Sequence, residues 1–68
     1  MSITRQYLDD LDAAVSQQRD IILHHNVAML QNGLGEAERE VSLVIPCARL
    51  KKMMAQYTAA VRRFKAQS

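Results

Sequence analysis

The sequence predicts an all-α protein, an antiparallel, coiled-coil-like two-helix hairpin in which residues 1–68 form a single domain. Residues that favour helices dominate the composition, and the 68 residues include one proline and two glycines. Apolar residues recur at helical spacing in two long segments. The strongest turn signal, Asn32-Gly33-Leu34-Gly35, lies between these segments and separates the two predicted helices.

The first helix is predicted over residues 4–31, with Ser2 or Thr4 as its N-cap. Its apolar stripe combines two neighbouring heptad columns, which are Leu8, Val15, Ile22 and Met29, and Tyr7, Ala14, Ile21 and Ala28. A stripe of this width is typical of a helix that packs on another helix. The opposite heptad position starts at Leu11 and then becomes polar at Gln18, His25 and Asn32.

The second helix is predicted over residues 36–66, and its apolar residues alternate spacings of four and three. We call the row by which each helix packs on the other the seam. In the second helix the predicted seam is Leu43, Cys47, Leu50, Met54, Tyr57, Val61 and Phe64. Pro46 removes one backbone hydrogen bond and costs about 3 kcal/mol inside a helix. We therefore expect the second helix to be kinked or broken near Pro46.

A turn of four residues, 32–35, predicts that the two helices pack antiparallel. Two helices alone shield little surface, and this hairpin has apolar residues outside its seam, close to the turn. The hairpin is therefore expected to be completed by dimerisation or by a protein partner. The predicted partner-binding residues are Leu23, Val27, Leu30, Leu34, Val41 and Val44, with Ile45 beside them.

Charge is distributed unevenly along the chain. Residues 1–40 contain seven acids and three arginines, a balance of −4, whereas residues 41–68 contain six basic residues and no acid. One interpretation is a basic surface for nucleic acid, formed by Arg49, Lys52, Arg62 and Arg63. The other interpretation, which we favour, is intramolecular. In it Asp9, Asp10 and Asp12 lie near the start of the first helix and Arg62, Arg63 and Lys65 near the end of the second, and both placements suit the helix dipoles. The antiparallel hairpin brings the two clusters together.

The sequence contains no recognisable catalytic, metal or cofactor site. His24 and His25 are adjacent, so on a helix they point about 100° apart and cannot chelate one metal together. Cys47 is the only cysteine and has no neighbouring base to activate it. We therefore predict that the chain is not an enzyme and needs no cofactor.

No apolar run approaches the roughly 20 residues that span a bilayer, and the first residues lack the apolar core of a signal peptide. These features predict a cytoplasmic protein without a membrane span.

A long helix to Gln31, the Asn32–Gly35 turn and a second helix to the end resemble the layout of the small E-component co-chaperones of type III secretion needle assembly. These two-helix hairpins stabilise a helical-repeat chaperone that keeps the needle subunit soluble before export. Pro46 departs from this layout, and the family is defined by layout, so no site residue is carried over. The resemblance implies a chaperone-like adaptor in protein transport. The alternative is a small dimeric regulator that binds RNA or DNA through its basic second helix.

Overall fold

A computed structural model describes residues 2–67, which form two helices, α1 at Arg5–Gln31 and α2 at Glu36–Gln67, without a strand in that range. The helices pack against each other as a hairpin 51 Å long and about 16 Å wide. The predicted all-α antiparallel hairpin is therefore confirmed. The sequence placed the helices at residues 4–31 and 36–66.

The N-terminus of α1 is capped by Thr4, one of the two predicted caps. Thr4 has extended backbone angles, and its side-chain oxygen accepts a hydrogen bond from the Tyr7 N–H at 3.1 Å. This bond satisfies one of the amides that a helix start leaves without a backbone partner. The prediction that Asp9, Asp10 and Asp12 suit the dipole of α1 is wrong, because the first turn of α1 contains no acid. The dipole effect fades beyond that turn.

The turn stops α1 through a left-handed glycine. Gly33 has φ +78°, its N–H donates to the Leu30 carbonyl at 3.0 Å, and the Leu34 N–H donates to the Met29 carbonyl at 3.1 Å. This pair of bonds is the Schellman arrangement, which satisfies carbonyls that the helix end would leave unpaired. Arg39 reaches back from α2 and donates from Nη1 to the Leu34 carbonyl at 2.9 Å. Hydrogen bonds to α1 and from α2 therefore both hold the turn in place.

α2 is a single helix from Glu36 to Gln67, with Pro46 inside it. Of the two outcomes expected at Pro46, the structure therefore excludes a break. The proline leaves the Ser42 carbonyl without its normal helical donor, because proline has no N–H. The Pro46 carbonyl itself accepts a hydrogen bond from Nε2 of Gln18, on α1, at 3.2 Å.

The observed seam alternates spacings of three and four along α2, and along α1 as far as Ile22. In α1 it comprises Leu8, Leu11, Val15, Gln18, Ile22 and Met29, all buried or half-buried. In α2 it comprises Arg39, Leu43, Pro46, Leu50, Met53, Tyr57, Ala60 and Phe64.

The α2 seam differs from the predicted one in every second position. Leu43, Leu50, Tyr57 and Phe64 are at least half-buried as predicted, and Val61 is half-buried beside them. Cys47 and Met54 are exposed, so their assignment to the seam is corrected. Pro46, Met53 and Ala60 take the alternate positions, which rotates the packed face by one residue. The physical reason is that small Ala60, 5% exposed, permits close helix approach, while Pro46 offers Gln18 a carbonyl.

The hairpin divides into two halves that differ in packing. The turn half is residues 19–49, and the open-end half is residues 2–18 together with 50–67. At the open end, Gln67 exchanges two hydrogen bonds with the backbone of Ile3, donating to the Ile3 carbonyl and accepting from its N–H. These bonds join the start of the chain to the last residue of α2.

Candidate protein-interaction surface

Large apolar side chains are concentrated on the outside of the turn half. Among the described residues nine large apolar side chains are exposed, and the two in the open-end half are Tyr7 and Met54. The other seven are Ile21, Leu23, Val27, Leu30, Val41, Val44 and Ile45. Met29 is the one buried residue that the turn half contributes. This half therefore exposes more large apolar side chains than it fully buries.

Helical spacing explains why these residues face outwards. Leu23, Val27 and Leu30 are spaced by four and three residues, so they share one face of α1, which differs from the face of Ile22 and Met29. On α2, Val41, Val44 and Ile45 follow spacings of three and one on the side away from the seam, and Val41 is 75% exposed. Each helix thus carries an outer apolar patch.

The structure leaves five of the six predicted partner-binding residues exposed, namely Leu23, Val27, Leu30, Val41 and Val44. Leu34 is half-buried, since its backbone closes the turn on Met29. Ile21 is 52% exposed, although the sequence placed its column inside the packed stripe. We call the exposed residues Leu23, Val27, Leu30, Val41, Val44 and Ile45 the turn-half surface.

A groove borders this surface on one flank of the hairpin. Its volume is about 360 Å³, and it is lined by Arg19, Ile22, Leu23 and Asn26 from α1 and by Leu43 from α2. A second groove, of about 260 Å³, lies at the open end, where Tyr7 faces Gln56, Ala60 and Arg63. The first groove continues the apolar surface, and each groove has one arginine in its lining, Arg19 in the first and Arg63 in the second.

The basic residues of α2 lie on the surface of the open-end half and its border. Arg49, Lys52, Arg62 and Arg63 are all exposed. The ion pair that the described residues show joins Arg5 to Asp9 at 3.7 Å within α1, and none joins an α1 aspartate to Arg62 or Arg63. Lys65 lies in the last turn of α2, where a cation suits the helix dipole. The predicted pairing of the α1 aspartates with bases of α2 is therefore not formed by Arg62 or Arg63.

The remaining candidates for chemistry are dispersed. His24, His25 and Cys47 are exposed. Within residues 2–67, no group of three or more His, Cys, Asp or Glu side chains is placed to hold a metal ion. Nor is either described helix long and apolar enough to cross a membrane.

Comparison of the chain with protein-family models, with curated proteins and with solved structures found no match. The function is therefore argued from the surface itself.

Proposed function

We propose that this chain is a non-enzymatic protein–protein interaction module that docks a partner on its turn-half surface. The observation that carries this proposal is the imbalance of the turn half, which exposes seven large apolar side chains and buries Met29 alone among its residues. Exposed apolar patches of this kind mark interaction sites in small proteins. A chain of this size also buries a limited core, so a partner adds to its stability.

The size of the driving force agrees with this role. Fully burying one Leu, Val or Ile side chain contributes about 1.5 to 3 kcal/mol. Since these side chains are 42% to 75% exposed, covering four of them contributes about 3 to 8 kcal/mol. Association itself costs at least about 4 kcal/mol. The affinity therefore depends on shape and charge as well as on apolar area.

The specific role that we propose is a small adaptor or chaperone-like subunit in the cytoplasm. The hairpin layout of α1, turn and α2 supports a place among type III secretion co-chaperones, whose partners are helical proteins. The apolar patches on the outer faces of α1 and α2 suit a helical partner, because helices pack through stripes of this spacing.

Sedimentation of the purified chain, alone and with the products of its neighbouring genes, tests the proposal. We expect either self-association or a defined complex, and Val44→Asp should abolish it. Thr58→Asp is the matched control, because Thr58 is exposed two heptads further along α2. A stable monomer that binds none of these products would contradict the proposed function.

A second candidate function is binding of RNA or DNA, which the exposed Arg49, Lys52, Arg62 and Arg63 favour. No acid follows Glu40 in α2 to offset them. Tyr57 and Phe64 are half-buried in the seam, however, so they are not free to stack on bases. Gel shift with arbitrary nucleic acid should show binding that weakens steeply with salt. The absence of a shift at low salt would exclude this candidate.

A further inference from the structure

The two flanks of the hairpin can be told apart by their grooves. Tyr7, which directly precedes the seam residue Leu8, shares a groove with Gln56 and Arg63. Those two residues directly precede Tyr57 and Phe64 in the α2 seam. Residues that precede seam positions therefore lie on one flank in both helices. Residues that follow seam positions lie on the other flank, as the position of Leu23 in the opposite groove shows.

This second flank carries a continuous apolar strip in the turn half. Leu23 and Leu30 follow the seam residues Ile22 and Met29, and Val44 and Cys47 follow Leu43 and Pro46. All four are exposed. We call this strip, Leu23, Leu30, Val44 and Cys47, the Leu23 flank.

Charged residues border the Leu23 flank in a definite order. Glu40 follows the seam residue Arg39 and lies nearer the turn, about 6 Å along α2 from Val44 at 1.5 Å per residue. Lys51 follows Leu50 and lies about 10 Å beyond Val44 in the other direction. Arg19 follows Gln18, whose hydrogen bond to Pro46 places Arg19 near the level of Pro46, in the middle of the strip. The strip therefore has an acid, Glu40, at its turn side and a base, Lys51, at its other side.

We propose that a second copy of this chain covers the Leu23 flank, in an antiparallel arrangement with a two-fold axis at the level of Val44 and Cys47. The inference rests on the proposed function and names its partner. A two-fold axis places each group against the groups on the far side of the axis. Glu40 of each copy then meets Lys51 of the other. A parallel pairing would instead set Glu40 against Glu40 and Lys51 against Lys51, which is repulsive.

The overlap is long enough for a specific but reversible dimer. The axis lies about 10 residues from the start of α2, so the two hairpins overlap over roughly 30 Å at 1.5 Å per residue. Two helices about 10 Å wide then cover roughly 600 Å² on each copy. This area is at the lower end of specific interfaces, so we expect a weak and reversible dimer. The dimer is a four-helix bundle over this overlap, and the open ends project from it.

A charge exchange in the full chain tests this arrangement by sedimentation equilibrium. We expect Glu40→Lys and Lys51→Glu each to weaken self-association about tenfold. The double variant should return to within about threefold of the wild type, because it restores opposite charges across the axis. The matched controls Glu38→Lys and Lys52→Glu reverse exposed charges away from the Leu23 flank and should leave self-association unchanged.

Cross-linking with a short bismaleimide reports the geometry independently. Cys47 lies beside the axis, so two copies should be joined through it. In a Cys47→Ser background, Thr58→Cys should give no cross-link, because the axis leaves these positions roughly 35 Å apart. Cross-linking at position 58 would indicate a parallel pair and overturn the proposal.

The outcomes separate self-pairing from the proposed function. A double variant that fails to recover overturns the antiparallel dimer. A wild-type chain that stays monomeric at about 1 mM but binds a neighbouring gene's product overturns self-pairing and supports the proposed function. A monomer that binds nothing overturns both.

Discussion

The two halves of the hairpin differ in what holds their helices together. The open-end half buries Leu8, Val15, Gln18 and Ala60 and closes its end with the Ile3–Gln67 hydrogen bonds. The turn half buries Met29, and its α2 segment contains a proline. The helices in the turn half are therefore joined by the covalent turn more than by a core.

One hairpin can therefore combine an end that buries its apolar side chains with an end that leaves many of them exposed. Exposed Leu, Val and Ile side chains in the turn half hold apolar surface available for another helix. Because the open-end half buries more residues, we expect it to be the more stable of the two.

The largest effect is expected from a matched pair of leucines in α1, one in each half. Leu8 is 8% exposed and Leu23 is 57% exposed. Leu8→Ala should lower the free energy of unfolding of the monomer by about 2 to 3 kcal/mol, since it removes buried contacts. Leu23→Ala should lower it by less than about 0.5 kcal/mol. Urea denaturation followed by circular dichroism at low protein concentration measures both.

The same pair should show the reverse order in binding. Leu23→Ala weakens self-association or partner binding, whereas Leu8→Ala leaves the affinity of the folded chain unchanged. Equal losses of stability for the two variants would contradict the division into halves.

Pro46→Ala should stabilise the turn half. The substitution gives the Ser42 carbonyl a donor and removes a helix penalty of about 3 kcal/mol. Pro46 is half-buried in the seam, so lost ring contacts offset part of the gain. We expect the free energy of unfolding to rise by about 2 kcal/mol, measured by urea denaturation. A decrease would show that the proline ring is essential to the packing.

The glycines of the turn offer a third comparison. Gly33 has φ +78°, which L-residues adopt at a cost of about 1 to 2 kcal/mol, so Gly33→Ala should destabilise by that amount. Gly35 is the matched control, because it does not have a positive φ and a methyl group there would meet no atom within 4 Å. Gly35→Ala should be neutral or stabilising by up to about 1 kcal/mol. Thermal denaturation of both variants measures these changes in stability.

The smallest effect is expected at Gln18, which lies at the border of the two halves. Its hydrogen bond to the Pro46 carbonyl fixes the register of α1 against α2 more than it contributes energy. Gln18→Leu should change the free energy of unfolding by less than about 1 kcal/mol. Nuclear magnetic resonance spectra of the variant should show broadened or doubled signals near Pro46, and unchanged spectra would contradict a register role.

The fold was predictable from local signals in the sequence. Thr4 as a cap, Gly33 as a stop and the heptad column of Leu43, Leu50, Tyr57 and Phe64 act within a few residues, so each is visible without tertiary contacts. The exposure of Leu23, Val27 and Val41 followed from helical periodicity, because a seam can bury only one face.

The exact packed face was not predictable. Cys47 and Val61 are more apolar choices than Pro46 and Ala60, Met54 equals Met53, and the two alternatives differ by one residue of rotation. The choice depends on the opposite helix, where Gln18 supplies a donor for the Pro46 carbonyl. A single-helix pattern contains no information about that donor.

Hydrogen exchange at two protein concentrations tests the central claim most directly. At a concentration that favours the monomer, the α1 amides of residues 23–30 should exchange faster than those of residues 8–15. Raising the concentration into the range where the chain pairs should slow exchange in residues 23–30 and leave residues 8–15 unchanged. Equal protection of both segments at every concentration would contradict the claim that pairing covers an exposed turn half.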